Sequence, residues 1–331
     1  MPNVLSTQGR EGPAGSFGRS KIKTVSGVTT ARAAAGDFLV VSTGLSDVDV
    51  FLQDTKDTID DVITIMNDGP GMVYVHSPGD IKIYYSWDVY PIAPSFPCVT
   101  FVPISRNRLA VPNAPLERLW FEWNQRDLSQ MTLLKGSDVD LYSYNVQVID
   151  GISFINMGAH ADAAGGDDWQ KNAITALVKR APPTLNVRVE TEVLQIGRNS
   201  ANQANTGVIA RCGSTGEPSG YATIGYNYNA STIVYHAHGL KVQATTAELG
   251  YIVGSMAIST SSLTYGTPVA VEVMSGGTSN AQVNFEAGAK LSYNDSSSPL
   301  VGKLCGLFAS PYAADETSSA YFRNIRVTLL D

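Results

Sequence analysis

Apolar and polar residues alternate with a period of two over much of this chain. Leu185, Val187 and Val189 alternate with Asn186, Arg188 and Glu190, and Ile81 and Ile83 alternate with Lys82 and Tyr84. That period puts one set of side chains on each face of an extended strand. Short runs of the same kind recur as "DFLVVSTG", "DDVITIMNDG", "GMVYVHS", "DIKIYYSWDVY", "CVTFVPIS", "LERLWFEWN" and "QMTLLKG" between residues 37 and 145. Turn formers separate them: Asp68-Gly69-Pro70, Ser77-Pro78-Gly79-Asp80, Pro94, Pro97 and Pro112-Asn113. The spacing predicts a small antiparallel β-sandwich over residues 31–145.

A second series follows "PTLNVRVETEVLQIG": "TGVIARCG", "GYATIGYNYN", "STIVYHAH", "YIVGSMAIS", "TPVAVEVMSG", "AQVNFEAGAKLSY", "LCGLFAS" and "YFRNIRVTLL". It predicts a second β domain over residues 146–331. The segment "DDWQKNAITALVKR" is the one helical candidate, with Asp167 or Asp168 as N-cap and the Pro182-Pro183 pair beyond it. Residues 1–30 are rich in Gly, Ser and Thr and show no periodicity. A segment of that kind buries too little apolar surface to order itself, so an extended arm is expected there. The chain ends on a strand pattern. Phe322 and Ile325 are three residues apart, so both reach one core only if a bulge lies at Arg323-Asn324. Ile325 and Val327 are then expected to be buried.

Composition supports the all-β reading. Charged residues are only 16% of the 331, and Gly, Ser, Thr and Asn take their place. No apolar run is long enough to span a membrane as a helix. The N-terminus has no apolar core of a secretory signal. Three cysteines, Cys98, Cys212 and Cys305, read as free thiols of a reducing compartment. Charge is uneven: residues 1–30 carry a net of +3, residues 31–150 a net of −8 and residues 151–331 a net of −2. An acidic body argues against nucleic acid as the main partner.

The ending "GKLCGLFAS…SSAYFRNIRVTLL" resembles the close of laminin-G-like, concanavalin A-like jelly rolls, in which a Gly-rich strand, a loop and a final strand complete the sheets. "VRVETEVLQ" and "TGVIARCG…SGYATIGYNY" are similar to the family's earlier strands. The resemblance covers most of residues 184–331 and implies an interior position for the last strand. Arg323 stands where the family often carries an acid, and residues 150–183 match the family's usual start poorly. The stretch "ITIMNDGPGMVYVHS…FVPISRNRLAVPNAPLERLWFEWN" resembles small β-sandwich domains of tailed-phage virion proteins. An arm, a small sandwich and a lectin-like jelly roll together imply a non-enzymatic protein of the virion surface. Head decoration is favoured, with no leader and synthesis in the host cytoplasm. Its expected partners are capsid proteins or neighbouring copies reached through residues 1–30, a host glycan, and further copies of itself in a homo-oligomer. A tail or baseplate receptor-binding protein, a free lectin or adhesin, and an atypical glycoside hydrolase are the alternatives.

Candidate chemistry is sparse. Retaining glycosidases need two carboxylates about 5 Å apart, and Glu190 and Glu192, on one strand face, are the nearest arrangement. Asp47/Asp49 and Asp138/Asp140 are i, i+2 pairs that could begin calcium sites, although alternating exposure also explains them. His236 and His238 share a strand face without a visible third metal ligand, and His76 and His160 have no partner in the sequence. No nucleophile elbow, phosphate loop or CxxC pair is present, and no cofactor or metal is implied. The run "GYNYNASTIVYHAHG" is the best glycan-binding candidate. Aromatic rings stack on sugar faces and amides bond hydroxyls, so Tyr226, Asn227, Tyr228, Tyr235, His236 and His238 are the expected contacts.

Overall fold

The computed structural model describes residues 21–44, 46–53, 62–83, 88–105, 107–112, 114, 118–123, 128–161, 170–194, 205–227, 234–243, 247–257, 267–275, 280–287, 289–296, 298–311 and 317–330. The described elements are all strands, and they form two compact units, residues 1–124 and 125–331. The division falls before residue 145, because the two strands that follow residue 130 pair with strands of the C-terminal unit.

The N-terminal unit contains β1 (Lys21–Ser26), β2 (Thr30–Ala33), β3 (Asp37–Ser42), β4 (Val48–Leu52), β5 (Ile63–Asn67), β6 (Val73–His76), β7 (Lys82–Ile83), β8 (Val89–Ile92), β9 (Cys98–Ser105), β10 (Arg108–Ala110) and β11 (Arg118–Glu122). One sheet runs β1-β3-β5-β9-β10-β7 and another β2-β4-β6-β8. The expected antiparallel sandwich is corrected here. β1–β3, β3–β5, β2–β4 and β4–β6 are parallel, and antiparallel pairing begins with β8 and β9. From β1 to β9, odd strands go to one sheet and even strands to the other, so this part of the chain coils instead of folding back on itself. Gly27, Gly36 and Gly44, with φ of 65°, 79° and 59°, sit between successive strands. Only glycine takes that backbone at little cost, which lets the chain leave one sheet for the other. Local alternation looks the same in either pairing, so the turn geometry decides it.

The arm expectation is corrected for residues 21–30. Lys21–Ser26 pairs with Asp37–Ser42 of its own unit, and Lys23 bonds Asp37 at 2.5 Å. Residues 1–20 lie outside the described residues. The Asn67-x-Gly69 stretch is a tied corner. Asn67 Nδ2 donates to the carbonyls of Gly71 (2.7 Å) and Ile92 (3.2 Å), while the Gly71 amide donates to Thr43 Oγ1 (2.9 Å). A side chain at Gly71 would meet the Ser46 carbonyl at 2.5 Å, which explains the glycine.

The C-terminal unit contains β12 (Met131–Lys135), β13 (Val139–Ile149), β14 (Ile152–Ala161), β15 (Ile174–Val178), β16 (Val187–Leu194), β17 (Asn205–Cys212), β18 (Gly220–Asn227), β19 (Val234–Val242), β20 (Ala247–Ala257), β21 (Thr267–Ser275), β22 (Ala281–Ala287), β23 (Ala289–Asp295), β24 (Leu304–Ser310) and β25 (Thr317–Leu329). Its sheets run β13-β14-β25-β16-β21-β22-β23 and β12-β15-β24-β17-β18-β19-β20, and these pairs are antiparallel. They pack face to face as the expected jelly-roll sandwich. Thr223 on β18 donates across the gap to the Ala270 carbonyl on β21 at 2.6 Å. We call the first the open sheet and the second the covered sheet.

The helical candidate is corrected. Ile174–Val178 is a strand, buried at all five positions, between β12 and β24. A strand covered on both faces reads as a continuous apolar run, which its sequence does not distinguish from a buried helix turn. The chain end matches its expectation. β25 lies between β14 and β16, and Phe322, Ile325 and Val327 are fully buried. Arg323 faces Glu192 and Arg326 faces Glu190, so two residues of β25 oppose Thr191 alone. Asn324, with φ of 53°, absorbs this bulge, and Thr191 Oγ1 donates to the Arg323 carbonyl at 2.8 Å.

Between the sheets lies a buried polar cluster. Lys241 Nζ and the Tyr221 hydroxyl both reach Asp295 Oδ2 at 2.6 Å, and Lys241 also donates to the Ser298 carbonyl at 2.8 Å. Arg211 donates to the carbonyls of Leu185 (3.0 Å) and Leu300 (3.2 Å) and to Ser275 Oγ (2.7 Å). Burial lowers the Arg211 pKa and, with the Asp295 bond, raises that of Tyr221. Arg211, Tyr221, Lys241 and Asp295, each at most 5% exposed, tie Ser298 and Leu300 to the strands of both sheets.

Candidate functional site

Along β16, Val187, Val189 and Val193 are buried while Arg188, Glu190 and Glu192 look outward. Strand register extends those outward residues into rows. One row is Arg326–Glu190–Ala270–Glu286–Lys290, the next is Thr328–Arg188–Glu272–Asn284–Ser292, and a third holds Arg323, Glu192 and Pro268. Glu190 and Glu286 stand on either side of Ala270, which is short, and Glu192 stands beside Pro268. The difference in length leaves a hollow of about 530 Å³, lined by Arg188, Glu190, Glu192, Glu286, Asn324 and Arg326 around Ala270.

The rim is held by pairs within and between strands. Arg188 Nε donates to Glu190 Oε2 at 2.8 Å, and its Nη1 donates to Glu286 Oε2 at 3.1 Å and lies 3.5 Å from Glu272. Burial works against the charge on Arg188, but Glu190 and Glu286 outweigh it and raise its pKa above the ordinary arginine value. Asn284 Nδ2 donates to Glu272 Oε1 at 2.7 Å, and Ser292 donates to Asn284 at 2.7 Å. On the other side, Arg323 Nε donates to Glu192 Oε2 at 2.6 Å and Asn324 Nδ2 to Glu192 Oε1 at 2.8 Å. The bulge brings Asn324 to this carboxylate. The face therefore offers fixed acceptors and donors in alternation, which suits a ligand whose own groups both donate and accept.

The carboxylates that the sequence offered for chemistry find other partners. Asp47 accepts the Met72 amide at 3.0 Å, and Asp49 pairs with His76 Nε2 at 2.6 Å. Asp140 pairs with Lys135, and His160 with Thr317 Oγ1 at 3.0 Å. Among the described residues no group of three or more His, Cys, Asp and Glu is placed to hold a metal ion. Glu190 and Glu192 do line the hollow. Their neighbours Ala270, Glu286, Asn324 and Arg326 come from strands far away in sequence, so no local motif marked the site.

The aromatic–polar candidates lie on the other sheet. The backbone of β18 and β19 places Tyr226 opposite His236, Asn227 opposite Tyr235, and Ile224 opposite His238. Tyr228 lies outside the described residues.

No protein-family model matches the chain, and no curated protein sequence matches it. Among solved structures, the chain is similar to a legume lectin-like domain from Entamoeba histolytica, at 8% identity and a TM-score of 0.35, over 62% of this chain and 99% of that one. It is similar to an alginate lyase from a Chlorella virus, at 10% identity and 0.36, over 64% and 100%. It is also similar to the catalytic domain of an endo-1,3-beta-glucanase (laminarinase) from Thermotoga petrophila, at 8% identity and 0.38, over 65% and 98%. A lectin-like domain and two enzymes thus stand side by side among the neighbours.

Proposed function

We propose that this chain is a non-enzymatic carbohydrate-binding protein of a phage virion surface, and that its C-terminal sandwich holds a sugar in the hollow over Ala270. The hollow carries the reading. Its volume of about 530 Å³ falls in the range of small-ligand sites, roughly 300–1,000 Å³. Sugar hydroxyls donate and accept together, and the rim presents carboxylates, guanidinium groups and an amide in fixed positions. The non-enzymatic part rests on how the carboxylates are used. Glu190 and Glu286 are joined to Arg188, and both oxygens of Glu192 accept hydrogen bonds. A glycosidase acid needs a carboxyl free to hand a proton to the leaving oxygen.

Calorimetric titration of the whole chain against a panel of bacterial-surface oligosaccharides tests this. Glu192→Gln and Arg326→Ala are expected to weaken binding about tenfold or more, since the first leaves Arg323 without its anion and the second removes a guanidinium from the wall of the hollow. Tyr226→Ala and His236→Ala test the rival location on β18 and β19. If they abolish binding and the rim variants do not, the site lies there. Reducing sugar released from the same oligosaccharides would overturn the non-enzymatic reading.

The virion setting rests on the order of a basic N-terminal segment, a small β unit and a lectin-like sandwich, with head decoration favoured over a tail or baseplate receptor-binding role or a free lectin. Quantitative mass spectrometry of purified particles is expected to find the chain at a fixed high copy number. Its absence from particles would leave the free lectin or adhesin.

A further inference from the structure

β13 is the outermost strand of the open sheet, and β12, three residues before it, is the outermost strand of the covered sheet. Among the described residues no strand pairs with the outer edge of β13. Eleven large apolar side chains are exposed among the described residues. Five of them, Leu133, Leu141, Tyr142, Val148 and Ile152, lie on β12, β13 and β14, against two, Met274 and Val301, in the rest of the C-terminal unit.

Native sheets protect such edges with lysines, prolines or bulges. β13 has a bulge at Tyr142, where Leu141 faces Ala159 and Ser143 faces Gly158. From Ser143 to Ile149 the register with β14 is unbroken, and the segment contains no charged residue and no proline. An unprotected edge of this length is long enough to take a further strand.

We propose that the chain forms a two-fold homodimer by antiparallel pairing of β13 with β13 of a second copy, centred on Val146. The sequence is complementary to itself about that residue. Asn145 then faces Gln147 of the partner copy, an amide against an amide, and Tyr144 faces Val148, an aromatic against a β-branched residue, both favourable cross-strand pairs. Val146 faces its own copy on the axis. Charge permits this occupant at this edge. The chain carries a net charge of −7, so two copies repel over most of their surface, and the uncharged edge is where they approach without that penalty. A two-fold interface uses the same patch twice, as this strand allows.

Sedimentation velocity of the full chain is expected to give a dimer that dissociates on dilution. Val146→Lys puts two ammonium groups opposite each other and is expected to raise the dissociation constant roughly a hundredfold. Asn145→Lys, at a position that is already exposed, is expected to do the same if Val146→Lys loses its far-ultraviolet dichroism. Met274→Lys, at an exposed residue of the open sheet, is expected to leave the dimer intact. Mixing Val146→Lys with Val146→Glu is expected to restore association. A monomeric or trimeric wild type, a folded lysine variant that still dimerises, or a failed mixture would each overturn the proposal.

Discussion

Every residue of β17 from Asn205 to Cys212 is buried, whereas along β16 buried and outward positions alternate from Val187 to Glu192. The two strands belong to opposite sheets of one sandwich. On the covered sheet, Thr223 points to the open sheet, so its neighbours Ala222 and Ile224 point away from it. They join Ala173, Leu177, Ile209, Leu240 and Phe308 in a second apolar cluster. Glycines at Gly207 and Gly306 keep this sheet close-packed, since an added side-chain carbon would meet a neighbouring carbonyl at 1.9 Å. The open sheet has its charged ladder instead. One sheet supplies rigidity, and the other, free of that task on its outer face, has room for a site.

The largest test of that contrast lies between the sheets. Asp295→Ala leaves Lys241 buried without its anion, and the expected cost in urea unfolding is about 3–5 kcal/mol. Replacing both residues with apolar ones of similar volume, Lys241→Met with Asp295→Leu, is expected to recover most of it. A cost below about 1 kcal/mol for the single variant would mean that water reaches the cluster.

A smaller effect concerns the covered sheet alone. Burial pushes the Cys212 thiol up to about 11. The native state therefore keeps a proton that the unfolded chain gives up above its ordinary cysteine range. This contribution is complete below about pH 9 and is lost as pH rises towards about 11, a change of about 2–3 kcal/mol. Subtracting the stability profile of Cys212→Ala from that of the wild type between pH 8 and 11 isolates it. Parallel profiles would show that the thiol is not shielded.

The smallest effect is expected on the open face. Glu192→Gln breaks a partly exposed pair with Arg323, and such pairs contribute about 0–1 kcal/mol. Unfolding of this variant is expected to stay within that range of the wild type while ligand binding falls. A loss of several kcal/mol would make the ladder a structural device and remove the contrast between the sheets.

Much of the architecture followed from local pattern. The period of two in Val187–Glu190 made β16 a strand with one polar face, and the three-residue spacing of Phe322 and Ile325 required the bulge found at Asn324. Both depend only on the fixed alternation of side chains along an extended backbone. Ile174–Val178 escaped because burial on both faces erases alternation. In β1 to β6 the pattern is equally regular in parallel and antiparallel arrangements, and the glycine corners decided between them.

The sequence by itself determined the all-β class, the strand-rich ending and the outward direction of Glu190 and Glu192, because each is a property of neighbours along the chain. Only the tertiary structure decided that these carboxylates border a hollow. Its floor is Ala270, its far wall Glu286, and its rim Asn324 and Arg326, residues brought together by strand register across three further strands. Register is fixed by turns and by the packing of the opposite face, so residues that meet across a sheet leave no spacing in the sequence for a reader to find.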